Sequence, residues 1–437
     1  MPTATTAPAA FTERRFLVPF AFVTSLFMLW GIAITMGDVL NRHFQHVLHV
    51  SKADSGLVQF SIFGAYAVMG IPAGLFMKRF GYKNGVLLGL GLYALGAFLF
   101  VPAAGAASFG FFRGALFVLA CGLATLETVA HPFIAALGDQ RTSDQRINFA
   151  QAFNGLGAVI GPLLGGYFIL RGHTAPVADT SLDSVKWLYV GIGSVIALLA
   201  LAFSFVPVPP LHDPHDAPTD AEATPETPAA ERRGLFQHRH FVWAVVAQFF
   251  NVAAQGGTWA YFINYGVERQ GLTSEQAAYY FSFSMVLMMA GRFIGTALMR
   301  VVPPSRLLAL FALANIVLCV IVAQSWGWVS FGALIGLNFF FSIMFPTIFS
   351  LGLKDLGPHT QQASSFIVMG VVGGAVFPYL MGRIADHDVA QAYYLPILCY
   401  LVIFLFGAVF YRVRPAQASA AGSRRKNAAP AITTTPV

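Results

Sequence analysis

Twelve long apolar runs constrain this chain more than any other feature. They fall at about 16–40, 55–77, 84–104, 109–137, 147–170, 185–206, 241–264, 275–298, 305–323, 328–352, 362–383 and 391–412. Each approaches the roughly 20 residues that an α-helix needs to cross a bilayer. Strands of a membrane barrel would alternate apolar and polar residues over about ten positions, and these runs do not alternate. Composition agrees: 57% of residues are hydrophobic and 10% charged, whereas a soluble domain carries charge on about a quarter. A soluble enzyme, a disordered scaffold and a nucleic-acid module are excluded. The formal charge of +7 then reports which loops face which side of the membrane, not a nucleic-acid partner. The first run follows Arg14 and Arg15, outlasts a signal-peptide core and offers no small-residue cleavage site, so it is expected to be a span. Cys121, Cys319 and Cys399 lie inside apolar runs and imply no disulfide framework.

Between the sixth and seventh runs, Pro207 to Arg233 is rich in proline, alanine, threonine and acidic residues without apolar periodicity, the signature of a flexible linker. The expected organisation is a cytoplasmic N-terminal tail (1–15), a six-helix bundle (16–206), a cytoplasmic linker (207–240), a second six-helix bundle (241–413) and a disordered tail (414–437). With the N-terminus inside, eighteen Lys and Arg residues fall on the cytoplasmic side and seven on the other, which predicts that both termini are cytoplasmic. The two blocks also echo each other. Pro132, Ile134, Leu137 and Gly138 recur 214 residues later as Pro346, Ile348, Leu351 and Gly352, and Pro162 and Gly166 recur as Pro378 and Gly382. A parallel repeat of this kind places the halves about a membrane-normal axis. The predicted fold is an all-α membrane protein of twelve transmembrane helices in two six-helix pseudo-repeats, the plan of the major facilitator transporters, with a central cavity opened alternately to each side.

An ionisable side chain inside hydrocarbon is costly and needs a partner, a watery cavity or a function. Glu127 lies 18 residues after Phe109 and 11 before Gly138, deep in the fourth span. It suits a group that binds and releases a proton; the alternative is a structural glutamate neutralised by hydrogen bonds. Asp38 either ends its helix or stays within it, and the apolar pattern continuing through Val39, Leu40 and Phe44 favours the latter. His131 is four residues from Glu127, on the same helix face, where it could hydrogen-bond the carboxyl or simply pack. Arg292, inside the eighth span, suits an anionic substrate or a structural or gating salt bridge.

Amides form a third set: Gln59 on the second span, Asn148, Gln151 and Asn154 on the fifth, Gln248, Asn251, Gln255 and Asn264 on the seventh, and Asn338 on the tenth. They offer donors and acceptors without charge, matching the hydroxyls of a sugar. Trp30, Trp259 and Tyr261 offer flat faces for its ring. Amides also join transmembrane helices to one another, which is the competing use. No P-loop, zinc spacing, nucleophile elbow or dinucleotide fingerprint occurs, so no cofactor or metal is expected and active transport must draw on an ion gradient.

Several separated motifs share one resemblance. Leu29-Trp30-Gly31 and Gly37-Asp38, Leu126-Glu127-Thr128 before Pro132-Phe133, and the Asn148–Asn154 stretch lie in the first half. Gly291-Arg292-Phe293, Pro346–Gly352, Ser364-Ser365-Phe366 and Gly373-Gly374 lie in the second. Together, over roughly residues 16 to 413, they resemble the fucose–galactose–hexose:proton symporter family. The resemblance implies proton-coupled sugar import, with Glu127 in proton binding and sugar recognition, Asp38 in the coupled cycle, and Gln151 and Asn154 facing the cavity. Departures leave the sugar open among hexoses, deoxyhexoses and related compounds: Ile34 to Gly37 replace asparagines before the aspartate, His131 replaces an asparagine, and Phe345 replaces an aromatic hydroxyl.

The leading expectation is therefore a proton-coupled symporter of a small neutral sugar, not an enzyme, in a bacterial inner membrane. Gln151, Asn154, Gln59, Gln255, Trp259, Asn251, Trp30 and Asn338 are the candidate sugar contacts, with His131 and Arg292 as modulators. A monomer in lipid is expected. Sodium coupling through Asp38 and proton-driven drug export are the alternatives.

Overall fold

The computed structural model of the chain describes residues 12–138, 143–170, 182–207, 234–354, 356 and 360–412. Most of the linker and the C-terminal tail read from the sequence lie outside the described residues. The spans are α1 (Arg14–Val47), α2 (Lys52–Met77), α3 (Arg79–Ala106), α4 (Phe109–Ala136), α5 (Ser143–Gly165) with a π turn to Leu170, and α6 (Asp183–Ser204) in the first half. The second half holds α7 (Arg239–Ala260), α8 (Ser274–Leu298), α9 (Pro304–Ala323), α10 (Trp328–Gly352), α11 (Phe366–Ala385) and α12 (Gln391–Phe410). Eleven of these are long and apolar enough by composition to cross a membrane. The exception is α7, diluted by Gln248, Asn251 and Gln255, and the run read as 241–264 is in fact two helices: after Tyr261 the chain continues as Phe262–Gln270.

Local chemistry explains the boundaries. Just inside the first turn of α3, Gly81 is non-helical, with a φ of 81° that is open to glycine at little steric cost. A capping box of Thr273 and Gln276 starts α8, each side chain bonding the other residue's backbone N–H. Arg269 pairs with Asp388 in the loop after α11. Burial alone would raise that carboxyl's pKa, but hydrogen bonds from Arg269 and from the amides of Ala390 and Gln391 outweigh it and hold it below the ordinary carboxylate range.

Each half builds most of its own core, with Ile263, Ala277 and Ala278 of the second half joining the first cluster and Ala158 of the first half joining the second. Close helix approach depends on small residues, as membrane packing requires: a Cβ on Gly157 of α5 would stand 2.0 Å from the Met28 carbonyl of α1. The repeat seen in the sequence has a structural counterpart between the halves. Gly166 of α5 faces Ala278 and Tyr279 of α8, and Gly382 of α11 faces Ala53 of α2 and Tyr261. Both glycines lie at the end remote from the start of α1 and the end of α12. There the halves are joined by Lys52–Glu268 at 2.9 Å, by Asp386 accepting from the Lys52 and Ala53 backbone amides at 2.7 and 3.3 Å, and by Asn264 Nδ2 donating to Gln45 Oε1 at 2.5 Å. Deeper in, Phe63 of α2 packs with Val252 of α7 and Ala375 of α11, and Phe345 packs against this cluster.

Candidate functional site

The first half contributes a connected set. Trp30 Nε1 donates to the Tyr66 hydroxyl at 2.5 Å, and that hydroxyl lies beside the Glu127 carboxyl. One turn on, His131 Nδ1 stands 2.9 Å from the Glu127 backbone carbonyl. A carbonyl only accepts, so Nδ1 carries the hydrogen. His131 Nε2 stands 2.9 Å from Gln151 Nε2, an amide donor, which makes this ring nitrogen the acceptor and the ring neutral. Of the two roles left open for His131, a bond to the Glu127 carboxyl and simple packing, the structure shows neither: the imidazole takes the Glu127 backbone carbonyl and the Gln151 amide. Asn154 Nδ2 donates to the Phe27 carbonyl at 3.2 Å, and the Phe27 ring meets His131 edge-on at 5.0 Å between centroids. Trp30, Tyr66, Glu127, His131, Gln151 and Asn154 are all partly exposed although they lie along the middle of their helices.

Asp38 is placed differently. It is 2% exposed, and α1 continues past it to Val47, so it lies within the helix as the apolar pattern predicts. Its Oδ1 accepts from Gln59 Nε2 of α2 at 2.5 Å. Asp38 and Glu127 therefore have separate partners, and Gln59 is a partner of the aspartate in this state rather than an exposed sugar contact.

The second half presents a buried chain. Trp259 Nε1 donates to Asn338 Oδ1 at 2.8 Å, Asn338 Nδ2 donates to the Ser284 hydroxyl at 2.7 Å, and that hydroxyl donates to the Ile335 carbonyl at 2.8 Å. Helical spacing puts Gln248, Asn251, Gln255 and Trp259 on one face of α7. Of these only Gln255 is partly exposed; Gln248 and Asn251 are 0% exposed, and among the described residues neither side chain has a hydrogen-bond partner. Arg292 Nε reaches the Ser342 carbonyl at 3.4 Å, where α10 is interrupted between Phe341 and Met344, and among the described residues it pairs with no carboxylate. Tyr261 and Asn264 sit at the remote junction and not beside the polar set, which removes Tyr261 as a platform for a sugar ring in this state. The Asn148 side chain lies outside what the structure describes. Among the described residues no group of three or more His, Cys, Asp or Glu could hold a metal ion.

Tyr66 and Ser284 complete these two chains and were not singled out in the sequence. Tyr66 stands seven residues, two helical turns, after Gln59, a spacing that already put both on one face of α2. Ser284 carries no such signal.

The family description Major Facilitator Superfamily matches residues 16–378. The chain belongs to this superfamily. It is 39% identical to the L-fucose-proton symporter of Escherichia coli (strain K12) over 413 residues, covering 90% of this chain and 93% of that protein. It is 34% identical to the glucose/galactose transporter of Brucella abortus biovar 1 over 401 residues, covering 91% of this chain and 95% of that protein. The crystal structure of the E. coli fucose:proton symporter, 37% identical, superposes with a TM-score of 0.65 and covers 92% of this chain and 100% of that one. A D-xylose-proton symporter superposes at 0.72 with 14% identity, over 90% of this chain and 97% of that one, a likeness of fold alone. The resemblance read from the motifs and the twelve-helix plan are both borne out: the chain is a multi-pass membrane transporter and not an enzyme.

Proposed function

We propose that this chain imports a neutral sugar, a hexose or deoxyhexose, together with a proton by alternating access. The observation that carries the reading is the Trp30–Tyr66–Glu127 chain beside His131 and Gln151. It sets one carboxyl, beside a tyrosine hydroxyl, in a partly exposed polar patch inside a membrane bundle. A protonated Glu127 is neutral and can donate to a sugar hydroxyl; an ionised one is an acceptor only, and costly there without a proton or a ligand. Gln151, Asn154 and Gln255 supply uncharged donors and acceptors, and Trp30 a flat apolar face. The relatives, an L-fucose-proton symporter and a glucose/galactose transporter, point to the same substrates.

The basic loops place both termini in the cytoplasm in this reading, which makes the junction at Lys52, Tyr261 and Asp386 the outer end. The bundles at 16–206 and 241–413, joined by the linker at 207–240, are then the rocking bodies, and the protein works as a monomer in the bacterial inner membrane. Proton coupling is preferred over sodium by the Asp38 environment. An amide nitrogen, Gln59 Nε2, faces the carboxylate, whereas sodium would call for oxygen ligands.

The test is uptake into proteoliposomes of labelled L-fucose, D-galactose and D-glucose, with proton and sodium gradients imposed separately. Accumulation of at least one sugar driven by the proton gradient alone is expected. Accumulation that follows only the sodium gradient, or no accumulation of any sugar by correctly folded protein, overturns the reading.

A further inference from the structure

The interruption of α7 falls at the outer end of its span. Gly256 and Gly257 weaken the helix one turn earlier, and Tyr261 leaves it with φ −113° and ψ 8°. Buried non-helical backbone requires hydrogen-bond partners, and here they come from the other half. Asn41 Nδ2 of α1 donates to the Ala260 carbonyl at 2.7 Å. The Tyr261 hydroxyl stands 2.8 Å from the Lys52 carbonyl of α2 and 2.8 Å from the Pro378 carbonyl of α11, so its one hydrogen is shared across the seam. Both side chains are fully buried.

Two glycines, one from each half, make room for that hydroxyl. A Cβ on Gly56 would stand 2.8 Å from it and 2.9 Å from the Pro378 carbonyl oxygen; a Cβ on Gly382 would stand 2.4 Å from it and 2.6 Å from Ala53 Cα. The Lys52 ammonium, bonded to Glu268 and to the Ala385 carbonyl, and the Asp386 carboxylate on the Lys52 and Ala53 amides surround the same point. Two residues before the break lies Trp259, bonded to Asn338, and four residues before that Gln255.

We propose that Tyr261 is the positioning residue of the outer gate. Its hydroxyl, seated between Gly56 and Gly382, holds α7 broken only while the halves are closed at this end. Separation takes Asn41 and Lys52 away from α7 and removes two partners of the break, so the segment carrying Gln255 and Trp259 reorganises as the gate opens. The gate and the candidate sugar contacts are thereby joined through one helix. The coupling to sugar rests on the symport reading; the latch itself does not.

The experiment places spin labels at His49→Cys and His387→Cys, both exposed and on opposite halves of the junction, and reads their distance distribution by pulsed electron resonance without sugar. The native cysteines are buried and stay unlabelled. Tyr261→Phe keeps the ring and deletes the hydroxyl; it should lower the closed-to-open ratio about fivefold, the worth of roughly one net hydrogen bond. Asn41→Ala should lower it to a similar extent, and Gly382→Ala, which collides with the hydroxyl and with backbone, by more. In uptake assays Tyr261→Phe should lower KM for outside sugar and slow turnover. Wild-type distance distributions in folded Tyr261→Phe and Asn41→Ala overturn the latch. Shifted distributions with no sugar uptake by the unlabelled wild type would instead overturn the symport reading and leave the latch standing.

Discussion

The two halves treat their polar side chains differently. In the first half Trp30, Tyr66, Glu127, His131 and Gln151 form a partly exposed set that includes an ionisable carboxyl, with the Asp38–Gln59 pair buried apart from it. In the second, Trp259, Asn338 and Ser284 form a buried chain, Gln248 and Asn251 are buried without hydrogen-bond partners among the described residues, and only Gln255 of the α7 amides is partly exposed. A buried amide without a partner costs about 1–3 kcal/mol. A stable resting structure gains nothing from such groups, whereas a moving one can pair them in another state. On the symport reading, the first half carries the proton chemistry and the second the sugar-dependent rearrangement.

The largest expected effect tests the first assignment. Glu127→Gln mimics the protonated acid and removes the titration, so uphill accumulation should fall to background while counterflow exchange, which needs no net proton movement, persists. Equal loss of both at normal membrane levels would make Glu127 structural. Asp38→Ala should likewise abolish gradient-driven uptake with the protein still folded in the membrane, leaving Gln59 without its acceptor; accumulation at the wild-type level would remove Asp38 from the cycle.

A smaller effect probes the second half. Trp259→Phe deletes the donor to Asn338 and should raise KM about tenfold, the worth of one buried hydrogen bond. The number of protons moved per sugar should not change. A changed proton-to-sugar ratio would break the division of labour between the halves.

The smallest effect concerns His131. Asparagine at this position retains a side-chain donor for the Glu127 carbonyl but cannot titrate. His131→Asn should still transport, with an altered profile of initial rate against pH at fixed membrane potential, because the imidazole and the Glu127 carboxyl lie one helical turn apart and a charge on either would bear on the other. Superimposable profiles would reduce His131 to a packing residue.

The sequence by itself determined what hydropathy and spacing can determine. The lengths of the apolar runs set the twelve spans, since partition into a bilayer depends on the summed character of about 20 residues. The Pro162/Gly166 and Pro378/Gly382 repeat marked the two halves, and the continuation of the apolar pattern past Asp38 kept it inside α1. Glu127 was legible because a charge inside a span is rare and costly. Only the tertiary structure decided which faces meet. Nothing in the composition of α2 says that Tyr66 turns toward both Trp30 and Glu127, or that His131 takes a backbone carbonyl instead of the neighbouring carboxyl. The hold on the break at Tyr261 was equally hidden: Gly256 and Gly257 precede it in the local sequence, but its partners are Asn41 and Lys52 of the other half. In a membrane the tail region of the lipid is as apolar as leucine, so the rotation of each helix is set by close packing and by hydrogen bonds to its neighbours. Those partners stand as far as 334 residues away along the chain.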